Sequence, residues 1–491
     1  MAINLSRNTK VYFTTSVTAS SGLLKADGIS NTNTFEIQVL DGYSFSQGTQ
    51  QQNIQISEAG DTPARGQRAF NTQLDPVEWS FSTYVRPYID PSAAGTVACA
   101  ERLLWNALLG DQIIDTSPAA ISALTRNSTT AAAVTLLTAS KMVKKFVAGD
   151  TGSADIGKED IINIQGFSGT GVPFNESIRV TANNTSTVTP FTYAAEYLTA
   201  PPTSAGTSGT TSASTLAYAG HWARGNTANA NYSYVTTLGS NKNTLQKFAL
   251  IFIVDQVVYA IENCAVDQVT VDFGLDQIST LAWTGKGTKL TEVTTTATTS
   301  ALLAANLKDN GTAYQAITTA NYITNKLSTL KLQSGIGGSE VAGSTSYSIP
   351  LTGGNITISN NINYLVPTNL AVVNQPIGYY TGQRSITGSL SAYLRTGDNT
   401  DTGGLLKTIL AAADKTTEPK YKVQIEMGGA ASANRVEFEM GGVVLQVPSV
   451  NVADVVAATI NFNAQGFDPV FGNNTFDITK NNDLMIRYFS A

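Results

Sequence analysis

From Trp79 to Arg86 the chain reads Trp-Ser-Phe-Ser-Thr-Tyr-Val-Arg, and its side chains alternate in kind. A repeat of two is the spacing of a strand with one face on a core and the other on water. Trp79, Phe81, Thr83 and Val85 form the inward set; Ser80, Ser82, Tyr84 and Arg86 form the outward set. The pattern returns far along the chain as Gly388-Ser-Leu-Ser-Ala-Tyr-Leu-Arg395. Ser389, Ser391, Tyr393 and Arg395 there match the outward set of the first copy, residue for residue. An internal repeat of this kind organises the whole reading.

The flanks repeat too. Gly-Gln-Arg stands at 66–68 and again at 382–384, at different distances from the two strands. A short helical pattern follows each copy, at Glu101–Gly110 with Gly110 as its C-cap, and at Leu405–Ala413. Upstream, Phe35–Leu40 and Tyr347–Leu351 read as strands that end in glycine turns at Gly42 and at Gly353-Gly354. Phe248–Val258 is apolar except for Asp255 and Gln256 and reads as one strand buried on both faces. Alternation resumes at Gln268–Phe273, Arg435–Met440 and Ile460–Asn463.

These elements divide the chain into two related units, the first at 1–115 and 225–290 and the second at 320–491. Residues 291–319 are rich in Thr and Ala and read as a linker. Residues 116–224 interrupt the first unit and have no counterpart in the second, so they read as an inserted surface domain. Within them Thr130–Val147 predicts a helix, Ile161–Phe167 and Ile178–Thr181 predict strands, and 200–215 is a loose Pro/Ser/Gly/Thr stretch. The expected fold is mainly β with short helices, in two tandem β-barrel or sandwich units. Small sheets have open edges that need a partner. Two units per chain can occupy equivalent places in a ring, so three chains would close a six-fold pseudo-symmetric ring. Pairing of the two units inside a monomeric sandwich is the other arrangement the repeat allows.

Composition suits a β-rich extracellular or virion protein better than a cytosolic enzyme. Of 491 residues, 42% are hydrophobic and only 13% charged, against about 25% charged in ordinary domains. Net charge is −6, and the densest basic run, Lys141–Lys145, holds three lysines. That is no footprint for phosphate binding. Cys99 and Cys264 are too few for a disulfide framework and are expected to be reduced and buried. The start, MAINLSRNTK, lacks the layout of a signal peptide, and no apolar window spans a membrane. The expectation is synthesis in a host cytoplasm and no membrane partner.

Candidate chemistry is thin. His221 is the single histidine, and Cys99, Cys264 and His221 share no metal-ligand spacing. Gly335–Gly343 lacks the Lys-Ser/Thr ending of a phosphate loop, and Gly285-Lys-Gly287 reads as a turn. Glu159 and Asp160 are adjacent and would point apart on a strand. No catalytic, cofactor-binding or metal residue is assigned. Trp79 and Phe81 present two readings: a sugar-binding platform, or core packing on Leu103, Leu104 and Trp105, which is preferred.

A set of segments resembles the major tail tube proteins of T5-like long-tailed phages. They are Ile56-Ser-Glu-Ala-Gly60 with Arg65-Gly66, Glu78–Tyr84, Leu103–Leu108, Trp283–Gly287, Ile323–Leu330, and Ile349–Ile358 continuing to Asn363–Pro367. The resemblance covers both units. It implies a duplicated tube domain, trimeric rings of this chain stacked into a tail tube, and DNA passing through without tight binding. It also implies tape measure and tail terminator or tip proteins as partners, the virion tail as location, no cofactor and no enzymatic activity. The 116–224 insertion and the expected lack of an immunoglobulin-like domain after Ala491 depart from the family. Ser80, Ser82, Tyr84, Arg86, Ser389, Ser391, Tyr393 and Arg395 are the candidate repeated face, turned to the lumen or to a neighbouring subunit. The polar 46–66 stretch reads as a loop suited to ring-to-ring contact. A β-rich glycan-binding adhesin is the alternative function. A polysaccharide-degrading enzyme comes third, without a positive sign.

Overall fold

The computed structural model describes residues 9–30, 33–54, 68–90, 96–109, most of 119–197, 216–219, 232–237, 245–293 apart from 256, 322–334, 346–397 apart from 369–372, 401–413, 421–428, 434–451, 456–468 apart from 466, 475–476 and 483–490. Strands dominate, with two α-helices, Arg102–Leu109 and Thr402–Ala412, among the described residues. No helix among them is long and apolar enough to cross a membrane.

In the second half, antiparallel pairing runs through six strands and returns to its start. Ser385–Tyr393 lies against Ala457–Ala464, which meets Arg435–Leu445. Tyr421–Gly428, Thr329–Ser334 and Ser346–Ser359 follow, and the last pairs back onto Ser385–Tyr393. The first half repeats the order. Arg68–Tyr84 lies against Thr280–Gly287, then come Val257–Asp272, Phe248–Val254, Thr9–Thr14 and Thr34–Ile37. Leu40, just past the last of these, donates its N–H to the Ser82 carbonyl at 2.8 Å, and Ser44–Ile54 takes up the pairing with Arg68–Tyr84. Registers agree as well. Ser80 faces Ser44 on one side and Thr284 on the other, as Ser389 faces Asn355 and Asn461.

The two halves share one sheet and one core. Gln268–Asp272 pairs antiparallel with Ser359–Asn355, so a strand of the first half is hydrogen-bonded to a strand of the second. A β-bulge between Val266 and Gln268 makes this possible. It turns the strand, so that its start pairs with Phe248–Val254 and its end reaches the other half. Beneath the seam, helix Arg102–Leu109 buries Leu104, Trp105, Ala107, Leu108 and Leu109. The Trp105 ring meets Trp283 edge-on at 5.0 Å, and its indole N–H donates to the Tyr488 hydroxyl at 2.8 Å. One side chain thus touches both halves. Cys99 and Cys264 are buried free thiols.

Several sequence expectations change. Phe248–Val258 is a hairpin rather than one strand, because Asp255 takes the left-handed conformation at φ 58° and turns the chain. Both faces of Phe248–Val254 are nonetheless buried, Leu250 and Phe252 on the main core and Ile251 and Ile253 on a second cluster with Tyr12 and Val258. The helix expected at Thr130–Val147 is absent: Ala133–Thr138 and Val143–Lys144 are strands. Val134 and Leu136 point into a core while Ala133 and Thr135 do not, so the working period is two, not 3.6. The 46–66 segment is no loop in its described part, since Ser44–Ile54 pairs with Arg68–Tyr84 as a long, exposed hairpin arm. Residues 55–67, Gly110, 200–215, His221, Glu159, Asp160 and 294–319 lie outside the described residues.

The inserted segment forms a closed barrel of six strands: Ala119–Arg126, Ala133–Thr138, Phe191–Tyr197, Ser177–Val180, Ile161–Gln165 and Leu216–Ala219, the last pairing with the first. Its interior is its own, built on Leu124, Leu136, Ile162, Phe174 and Tyr193. Beyond it, Tyr232–Thr237 pairs with Met485–Ser490 beside Arg435–Leu445, in the second half of the chain.

Candidate functional site

A strand with one polar and one apolar face contributes a row of polar side chains, and neighbouring strands in register turn rows into a surface. Here that surface crosses the seam. One rung runs Ser44, Ser80, Thr284, Gln268, Ser359, Ser385. The next runs Ser82, Ala282, Thr270, Thr357, Thr387, Asn463. The third runs Tyr84, Thr280, Asp272, Asn355, Ser389, Asn461. Residues between the rungs point the other way and are buried: Phe81, Trp283, Val269, Val271, Ile356, Ile358 and Phe462.

Hydroxyls and amides dominate this face. Hydroxyls meet across strands at Ser44–Ser80, 2.8 Å, and at Thr270–Thr357, 3.2 Å, the second pair spanning the seam. Ionic groups are few. Asp272 lies on the third rung, and partial burial raises its carboxyl above the usual carboxylate range. Glu78 and Lys286 face one another at the border, where opposite signs offset. A surface of this make-up offers weak, interchangeable hydrogen bonds and little fixed charge.

The eight residues singled out in the sequence separate into two groups. Ser80, Ser82 and Tyr84 lie on the face in the first half; Ser389, Ser391 and the exposed Tyr393 lie on it in the second. The two arginines part company. Arg395 is exposed, whereas Arg86 is 4% exposed, donates to the Gln38 side chain and lies over the Tyr322 ring at 5.9 Å. Next to it Glu101 is fully buried and accepts the Arg86 backbone N–H at 3.1 Å; burial pushes its carboxyl up to about 8, against the opposing pull of Arg86. Trp79 and Phe81 stack with ring centroids 5.2 Å apart inside the core that holds Leu104 and Trp105. Their surfaces are therefore closed to a sugar.

Sequence reasoning missed the middle of the face. Gln268-Val-Thr-Val-Asp272 and Asn355-Ile-Thr-Ile-Ser359 carry the same alternation of polar and β-branched residues, and that was the available signal. Their adjacency, made by the seam, is a tertiary fact that no local pattern announces.

No family model matches the chain. The chain is 24% identical over 469 residues to the tail tube protein pb6 of Escherichia phage T5, a match that spans 94% of this chain and 73% of that protein. That similarity runs through both halves of a duplicated, mostly β molecule, and it supports a structural tail tube protein of the T5-like type, a component of the virion tail rather than an enzyme.

Proposed function

We propose that the protein assembles into rings of three chains, each ring pseudo-hexameric because every chain supplies two like units, and that stacked rings form the conduit through which the genome leaves the particle. The observation that carries this reading is the polar face. Three rungs of six residues each, hydroxyl and amide side chains apart from Ala282 and Asp272, cross strands of both halves without a basic residue. A duplex carries one negative charge per about 1.7 Å of axis, so lysines or arginines on a channel wall would hold it by releasing its counterions. A wall of Ser, Thr and Asn, in a chain of net charge −6, gives DNA nothing to grip. Facing the lumen, Ser80, Ser82, Tyr84, Ser389, Ser391 and Tyr393 act as a slip surface. Tape measure and terminator or tip proteins are the further partners the family implies.

The test is a cryo-EM map of tubes grown from purified protein. The reading expects three chains per ring with Ser82 and Ser391 on the channel wall. Tubes with that face on the outside, or protein that stays monomeric at high concentration, would refute it.

A further inference from the structure

The seam inside the chain is a template for the contact between chains. Its two edges are Gln268–Asp272 and Asn355–Ser359. Each has a counterpart in the other half, and the registers identify it. Leu250 faces Ile261 as Val423 faces Met440; Gly285 faces Val266 as Phe462 faces Leu445; Ala282 faces Thr270 as Thr459 faces Ser449. The counterpart of 268–272 is therefore 447–451. Likewise Ser80 faces Ser44 as Ser389 faces Asn355, so the counterpart of 355–359 is 44–48.

Neither counterpart has a strand on its outer side among the described residues: Ser449–Asn451 pairs only with Ala457–Ala464, and Ser44–Ile54 only with Arg68–Tyr84. A bare edge is a standing invitation to another strand. The apolar positions agree. At the seam, Val271 and Ile356 face one another and are both 0% exposed. Their counterparts are Val450, which is 41% exposed, and the half-buried Phe45. These are core-type residues left uncovered in a lone chain.

We propose that residues 447–451 of one copy pair antiparallel with residues 44–48 of the next, Val450 opposite Phe45, Ser449 opposite Ser46 and Asn451 opposite Ser44. This rests on the ring reading above and adds the edge and the register. It continues the polar face from chain to chain, since Ser449 and Ser46 stand where Thr270 and Thr357 meet at 3.2 Å. Pro448 lacks an N–H, so the joint between chains holds one donor fewer than the joint within the chain.

The experiment places Ser46→Cys and Ser449→Cys in the full chain, assembles it under reductant and then oxidises. The expected result on a non-reducing gel is covalent dimers and trimers with no larger species. The pair Gly48→Cys with Ser449→Cys, two residues out of register, should give at least tenfold less. Tubes that form without this cross-link, or that cross-link equally out of register, overturn the joint and leave the tube reading standing. Cross-linking without tubes keeps the joint and removes the tube. As a second variant, Val450→Pro should melt like the parent yet form no tubes; normal assembly by that variant also overturns the joint.

Discussion

Where Trp79 faces Gly285, a Cβ added to the glycine would lie 2.2 Å from the indole and 2.3 Å from the Ala265 carbonyl oxygen, so ring and backbone together occupy the space a side chain would need. At the same rung of the second half the sizes are exchanged: Gly388 faces Phe462, and a Cβ on Gly388 would lie 2.5 Å from that ring. One aromatic stands at this rung in each half, supplied by a different strand in each. Trp79→Gly alone should cost about 3–5 kcal/mol through an unfilled cavity. Gly285→Phe alone should cost at least the roughly 1–3 kcal/mol typical of overpacking. Trp79→Gly with Gly285→Phe relieves the ring clash and leaves the Ala265 carbonyl clash, so thermal melting of the soluble subunit should show a combined loss smaller than the sum of the two. Simple additivity of the two losses would remove this account.

Glu101 makes a second claim at this scale. Its carboxyl is raised in the folded chain to about 8 by burial, above its value in an unfolded one. A group raised on folding stabilises fully below its unfolded pKa, and that contribution is lost as pH climbs through the folded value. The melting temperature should therefore fall between about pH 4.5 and pH 8 on this group's account. In Glu101→Gln, whose amide oxygen can still accept the Arg86 N–H, that part of the slope should vanish. An unchanged profile in the variant would show that Glu101 stays ionised.

At the scale of elements, the legible parts were those whose local period matched their burial. The strand at 79–86, its repeat at 388–395 and both helices follow from spacing alone, and the structure has them at Arg68–Tyr84, Ser385–Tyr393, Arg102–Leu109 and Thr402–Ala412. The arm was illegible for the opposite reason. Residues 49–54, Thr-Gln-Gln-Gln-Asn-Ile, are exposed on both faces, so no alternation marks them, yet they are paired strand. Ala133–Thr138 misled because Ala and Leu favour helices, while closure of the inserted barrel demanded a strand. An arm that buries so little contributes little to the fold and, in the stacked rings proposed above, is free to touch the next ring. Deleting 50–62 should leave the subunit's melting temperature nearly unchanged and abolish tubes in negative stain. Normal tubes would take the arm out of ring-to-ring contact.

For the whole molecule, the seam and the shared core make the two halves one body, while the inserted barrel closes on itself with a separate core. The repeat allowed the halves to pair within one chain but no local pattern specified the joint, because Trp105 meets Tyr488 across 383 positions. The barrel leaves no sheet edge to extend, so it suits the outside of an assembly that grows by edges. Residues 116–224 produced alone should give a cooperatively melting β protein by circular dichroism. A random-coil spectrum would mean the barrel depends on the rest of the chain.

Fusing two units through the 268–272 and 355–359 strands has a mass-action consequence for the ring proposed above. A six-unit annulus built from separate pieces forms in proportion to the sixth power of their concentration; one built from pre-joined pairs needs only the third. Half the closures happen during folding, where dilution has no effect.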